Sequence, residues 1–100
     1  MNFAFHPEAL AEFEDATRYY AAIQRELAQR FVASVEAAIG KLVQQPESYA
    51  IFEQDVRRCL TRVFPYAVLY TVEADCILIV AVMHCHQKPG CWHHRVTPPS

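Results

Sequence analysis

The chain has 100 residues, which suits one domain with a modest core. Because 53% of the residues are hydrophobic, a disordered chain is excluded, and a net charge of −2 is low for a protein built to hold nucleic-acid phosphates. No apolar run reaches the roughly 18 residues that a membrane span needs, and residues 1–10 lack the pattern of a secretory signal. We therefore expect a cytoplasmic protein that makes no membrane contact and keeps its four cysteines as reduced thiols.

The N-terminal half predicts a short strand followed by a pair of helices. Apolar residues alternate in Asn2–Phe5, as in a strand, and Pro7 suits the first turn of a helix. Two stripes at helical spacing follow, the first formed by Leu10, Phe13, Thr17 and Tyr20 and the second by Ala28, Phe31, Val32, Val35, Ala38, Ile39, Leu42 and Val43. The residues between the stripes include no strong helix breaker, so the sequence also allows one long helix. We favour a hairpin of two helices, because both stripes then cover one small sheet.

The C-terminal half predicts a loop followed by three strands. The loop covers residues 46–55, and it contains three apolar residues that we expect to anchor it, Tyr49, Ile51 and Phe52. The strands are predicted at Val56–Phe64, Tyr66–Val72 and Cys76–Met83, separated by segments with prolines or acidic residues. These elements would form one small sheet under the helices.

The strand Cys76–Met83 is apolar throughout, which is typical of a strand buried on both faces. Strict alternation would place Leu78 and Val80 on one face and Ile79 and Ala81 on the other. We expect residues 1–96 to form a single domain, and residues 97–100, which include two prolines, to form a flexible tail.

Residues that could carry chemistry follow this strand, which would deliver them to one edge of the sheet. They are His84, His86, Lys88, Trp92, His93, His94 and Arg95. The histidines and cysteines among residues 84–94 lack the paired spacing of structural zinc sites, so we expect no metal and no cofactor. Acid–base, phosphate-binding and purely structural roles all stay open for these side chains.

The order of elements and several segments together resemble the RelE/ParE superfamily, the toxins of bacterial type II toxin–antitoxin modules. The segments are the second helical stripe with its closing QQP, the strand FPYAVLY, and the set His84, Lys88, Pro89, Trp92 and Arg95. The similarity extends from Phe5 to Arg95. It implies an α+β fold in which a helical hairpin packs on a small, mainly antiparallel β-sheet. It also implies a cognate antitoxin as partner in a toxin–antitoxin hetero-oligomer, with a role in plasmid stabilisation and growth inhibition.

Members of this superfamily divide by activity. RelE-like members cleave mRNA on the ribosome, whereas ParE-like members poison DNA gyrase without an enzymatic step of their own. In the cleaving members an arginine commonly lies in the strand that resembles FPYAVLY, and here Ala67 takes that place. This departure and the low basicity favour the ParE-like interpretation. The histidines favour the alternative, an mRNA endonuclease with His84 and His86 as acid and base, and a degenerate, non-toxic member is the third reading.

Target contacts are predicted at five residues, Arg58, Arg62, Tyr66, Trp92 and Arg95. On an RNA target the arginines could hold phosphate and the aromatic rings could stack a base. Each has a structural alternative, since Tyr66 could pack beside Tyr70 and Trp92 could close the end of the core. So many apolar residues leave more surface than two helices can cover. We therefore expect an antitoxin segment, a helix with apolar anchors, to bury an exposed groove.

Overall fold

The fold pairs a helical hairpin with a five-stranded sheet, in a computed structural model that describes residues 2–85 and 90–96. The elements in chain order are β1 (Asn2–Phe5), α1 (Pro7–Ile23), α2 (Arg25–Gln44), β2 (Ile51–Glu53), β3 (Val56–Leu60), β4 (Tyr66–Val72), β5 (Cys76–His84) and a 3₁₀ turn (His93–Arg95). The sheet order is β1-β5-β4-β3-β2, with β1 parallel to β5 and every other pair antiparallel. The predicted α+β class and the mainly antiparallel sheet are confirmed.

The helical hairpin turns at one residue. Gln24 adopts an extended conformation (φ −165°, ψ 135°), and its N–H still donates to the Tyr20 carbonyl at 2.9 Å. In α2 the predicted stripe faces the core, and six of its residues are buried. In α1 the predicted stripe packs against the core through Phe13 and Tyr20, whereas Leu10 is 41% exposed and the deepest burial falls on Ala9 and Ala16. These small residues face the core in a helix that packs against both α2 and β5. No helix in the described ranges is both long and apolar enough to cross a bilayer.

The sheet separates two apolar cores. The helix-side core joins the helices to one face of the sheet and includes Phe31, Leu42, Val68, Tyr70, Ile77, Ile79 and Val82. The second core lies on the opposite face and includes Val56, Ala67, Leu69, Val80, Ala81 and Trp92, with Leu78 and Met83 packed against it. Strand β5 contributes to both cores, as its unbroken apolar sequence predicts.

A β-bulge corrects one prediction on β5. Leu69 pairs with Ala81 and Tyr70 pairs with Ile79, so Val80 is an extra residue in the ladder. The bulge shifts the alternation by one position, and Ala81 therefore joins Val80 in the second core instead of facing the same side as Ile79. Leu78 and Val80 share a face as predicted.

The segment predicted as a plain loop contains the short strand β2. Ile51 and Phe52 are 57% and 45% exposed, so they do not anchor it; Tyr49 does, since it packs against the helix-side core. Two part-buried hydrogen bonds also hold the segment: the Tyr70 hydroxyl donates to the Pro46 carbonyl at 2.6 Å, and Arg57 Nη1 donates to the Tyr49 carbonyl at 2.6 Å.

Strand β3 is shorter than predicted. It ends at Leu60 because Thr61 begins a tight turn, in which its hydroxyl donates to the carbonyls of Phe64 and Tyr66. Strand β5 is one residue longer than predicted and ends at His84.

Candidate functional site

The ends of β4 and β5 bring Tyr66 and His84 together. The two residues are paired in the sheet, and their rings meet edge to face with centroids 5.2 Å apart. Both are half-buried and line a shallow depression of about 290 Å³ beside Glu12 and Tyr19. Burial raises the pKa of Tyr66, whose ring also packs against Phe31 at 4.9 Å. Tyr66 is thus partly a core residue, which agrees with the structural alternative that its ring packs on the sheet.

Trp92 lies fully buried in the second core. Its ring centroid is 4.4 Å from that of His93 and 6.4 Å from that of Phe52. A ring without exposed surface cannot stack on a base or contact a target in this conformation. The structure therefore supports the structural role of Trp92 and removes it from the predicted target-binding surface.

Arg95 is also withdrawn from the surface, since its side chain is only 7% exposed. Its guanidinium donates from Nη1 to Glu12 Oε1 at 2.7 Å and from Nη2 to Glu12 Oε2 at 3.1 Å. Nη1 also donates to the Val80 carbonyl at 3.1 Å, and Glu12 Oε1 accepts from the Val82 N–H at 3.1 Å. Burial is the largest single effect and lowers the pKa of Arg95, but the hydrogen bonds to Glu12 together with the negative charges of Glu12 and Glu8 outweigh it, so the pKa is raised. The pair thus satisfies backbone groups at the bulge of β5 and ties it to α1.

Residues 90–96, the C-terminal strap, cover the second core. The strap contacts the start of α1 on one side and the edge strand β2 on the other. His94 Nε2 lies 2.7 Å from Glu8 Oε2 at the start of α1, and His93 Nε2 lies 3.0 Å from Glu53 Oε1 in β2. The hydrogen bond from His94 lowers the pKa of the Glu8 carboxyl. Both histidines therefore have a structural use.

The strap also needs a glycine at its start. Gly90 has φ +80°, and a Cβ added there would lie 2.8 Å from the His93 ring. The carboxylate partners of the strap are 40 to 86 positions away along the chain, and no local pattern in the sequence marks them.

The predicted base or acid His86 lies outside the described residues, as do Lys88 and the tail 97–100. Within residues 2–85 and 90–96, no group of three or more histidine, cysteine or carboxylate side chains is arranged to hold a metal ion.

Arg58 and Arg62 line a groove of about 820 Å³ between α2, β3 and the β2 segment. Its apolar wall is formed by Ala33, Ala37, Tyr49, Ile51, Phe52, Leu60, Val63 and Phe64. Four cations surround this wall, Arg30, Lys41, Arg58 and Arg62, and none of the described lining residues carries a carboxylate. Arg58 lies 4.8 Å above the Phe52 ring. The groove therefore offers an apolar floor within a positively charged rim.

Comparison with known proteins agrees with the resemblance. A family model described as the ParE toxin of the type II toxin–antitoxin system parDE matches residues 3–89. A solved structure described as the chromosomal ParDE TA system from P. aeruginosa is similar, with a TM-score of 0.74 and 18% identity over 84% of this chain and 95% of that chain. That likeness concerns the fold, and no curated protein matches the chain. The extent of the family match shows that the chain belongs to the ParE toxin family of type II toxin–antitoxin systems.

Proposed function

We propose that the chain is a ParE-like growth inhibitor that acts by binding DNA gyrase and does not cleave RNA. The observation that carries this proposal is the state of the second sheet face. Ala67, which stands where the RNA-cleaving relatives commonly have an arginine, is 3% exposed and packs in the second core with Trp92. That face is filled largely by apolar side chains and covered by the strap, and position 67 offers no cation to a phosphate. Arg58 lies nearby, in a small depression beside Ala67 and Trp92, where it packs above the Phe52 ring.

Among the described residues, the remaining candidates for RNA cleavage lie in separate places. Cleavage without a metal needs an acid, a base and cations around one phosphate. His84 lines the depression beside Tyr66, whereas Arg58 and Arg62 line the groove, and Arg95 is held by Glu12. This separation supports an inhibitor that acts through contacts, with Arg58, Arg62 and Tyr66 as its exposed or half-exposed contact residues.

We expect His84→Gln and His86→Gln to retain growth arrest when either variant is induced without a partner. A poison that works by binding needs no proton transfer, so glutamine preserves hydrogen bonding and leaves the activity within about threefold of the unaltered chain. Growth curves after induction measure the effect, and circular dichroism confirms that each variant is folded. A folded histidine variant that no longer arrests growth, together with mRNA cleavage by the unaltered chain, would favour the endonuclease.

We further propose that the groove receives the cognate antitoxin, in a toxin–antitoxin hetero-oligomer. Its size and apolar floor suit an amphipathic helix, and its four rim cations suit carboxylates on that helix. Exposed apolar residues gather here, including Ile51, Phe52, Leu60 and Val63, which is typical of a surface that a partner covers.

Ala37→Arg tests the groove, because it places a long charged side chain on the exposed wall of α2. We expect the variant to arrest growth but to bind the antitoxin more than about tenfold more weakly, since the helix can no longer seat. Ala22→Arg is the matched control on α1, at an exposed position that lines no described depression. Equal neutralisation of both variants by the protein of the adjacent reading frame would place the antitoxin elsewhere.

A further inference from the structure

The turn between β3 and β4 contains a backbone conformation that its sequence does not favour. Val63 has φ +74°, in the left-handed region that suits glycine or asparagine, and a β-branched side chain there is a genuine outlier. Its side chain is 84% exposed, the most exposed of the large hydrophobic residues in the described structure. The conformation costs free energy, and burial of the side chain in the fold offsets very little of it.

The turn is held in this shape from both sides. The Ser34 hydroxyl of α2 donates to the Arg62 carbonyl at 2.9 Å. The Thr61 hydroxyl donates to the Phe64 carbonyl at 2.9 Å, and the Tyr66 N–H donates to the same carbonyl at 2.8 Å. Phe64 itself is buried against Phe31, with ring centroids 5.4 Å apart. These contacts fix the backbone before and after Val63, so its Cα–Cβ bond points in a fixed direction.

That position belongs to the groove. Val63 lines it together with Leu60, which is 57% exposed, and between them the turn carries Arg62. An apolar side chain beside a cation at the rim matches a partner segment that has an apolar patch next to a carboxylate. Backbone strain of this kind is often found where a protein contacts a ligand, and here it lies at the edge of the proposed antitoxin groove.

We propose that Val63 is a preformed anchor for the antitoxin: its side chain inserts into an apolar patch of the antitoxin segment, and Arg62 pairs with a carboxylate beside that patch. The inference rests on the proposed docking of the antitoxin in the groove and identifies the residue that sets its specificity. Because the turn is ordered before binding, little conformational entropy is lost when the anchor engages. In this proposal the positive φ of Val63 costs free energy but directs the side chain toward the antitoxin segment.

Val63→Asn separates this role from a structural one. Asparagine tolerates positive φ better than valine, so the melting temperature should rise by a few degrees, while loss of the apolar anchor should weaken antitoxin binding more than about tenfold. Growth arrest without the antitoxin should be unchanged. Binding is measured by calorimetry with the purified product of the reading frame beside the toxin gene. Ile23→Ala is the matched control, since it removes another exposed apolar side chain, 59% exposed, outside the groove.

The outcomes are distinct. Unchanged affinity of Val63→Asn, with affinity lost in Ala37→Arg, would overturn the anchor and leave the groove as the docking site. Unchanged affinity in both variants would overturn the docking proposal together with the anchor. Loss of growth arrest by Val63→Asn with unchanged antitoxin affinity would assign the residue to the target surface, and a lower melting temperature would contradict the strain.

Discussion

Trp92→Ala should lower the free energy of unfolding by about 3–5 kcal/mol. The ring is fully buried in the second core, where it packs with Val80 and Ala81 and covers a sheet face that the helices do not reach. Removing it leaves a cavity under the strap, and a loss of this size is a large share of the roughly 5–15 kcal/mol that stabilise a typical domain. Urea unfolding followed by circular dichroism measures the change.

Two further variants make the result specific. Trp92→Phe should cost clearly less than Trp92→Ala, because it keeps most of the apolar volume and removes a buried indole N–H that has no hydrogen-bond partner among the described residues. Phe52→Ala, at a residue 45% exposed, should cost less than Trp92→Ala as well. If Trp92→Ala unfolds like the unaltered chain, the ring is not packed in the core and a contact role for it returns.

Arg95→Met should destabilise the fold by about 3–5 kcal/mol, because it leaves the Glu12 carboxylate and the Val80 carbonyl inside the protein without their donor. The guanidinium is 7% exposed and Glu12 is 17% exposed, so water restores little of the lost interaction. The double variant Arg95→Met, Glu12→Gln should recover part of the loss, since the glutamine is neutral and can still accept from the Val82 N–H.

Arg18→Met is the matched control for this pair. Arg18 forms an ion pair with Asp15, but both side chains are at least 70% exposed, and breaking such a pair costs about 0–1 kcal/mol. Equal destabilisation by Arg18→Met and Arg95→Met would show that the buried pair contributes no more to the free energy of unfolding than an exposed pair. The same burial means that loss of toxicity in an Arg95 variant reports on folding before it reports on target contacts.

The sequence predicted the helices and strands correctly where the apolar residues were clearly periodic or where prolines and polar residues marked the ends. The apolar run Cys76–Met83 predicted a strand buried on both faces, and the helical stripe from Ala28 to Val43 predicted α2. The bulge at Val80 could not be predicted, because alternation leaves no trace in a strand whose residues are all apolar. In α1 the predicted stripe omitted Ala9 and Ala16, the residues buried deepest, because they are small and weakly hydrophobic, and it included Leu10, which is 41% exposed.

The sequence predicted which residue types follow β5, but it did not predict which residues they contact. The sequence placed Trp92, the histidines and Arg95 after β5, but the residues that hold His93, His94 and Arg95 are Glu53, Glu8 and Glu12, which are distant in sequence. The surplus of apolar residues predicted an exposed apolar groove, but it did not indicate where on the surface the groove lies. The left-handed Val63 was unexpected, since Phe64-Pro65 indicates only a bend and valine is among the residues least suited to that conformation.

Inhibition of DNA gyrase without RNA cleavage is tested by assaying the purified chain against DNA gyrase and against translating ribosomes side by side. We expect the chain to inhibit the supercoiling of relaxed plasmid by gyrase, and to leave ribosome-bound mRNA intact at the same concentration. Adding the antitoxin should restore supercoiling with unaltered chain and fail to do so with Ala37→Arg. Cleavage of ribosome-bound mRNA, with gyrase supercoiling at its full rate, would contradict the account.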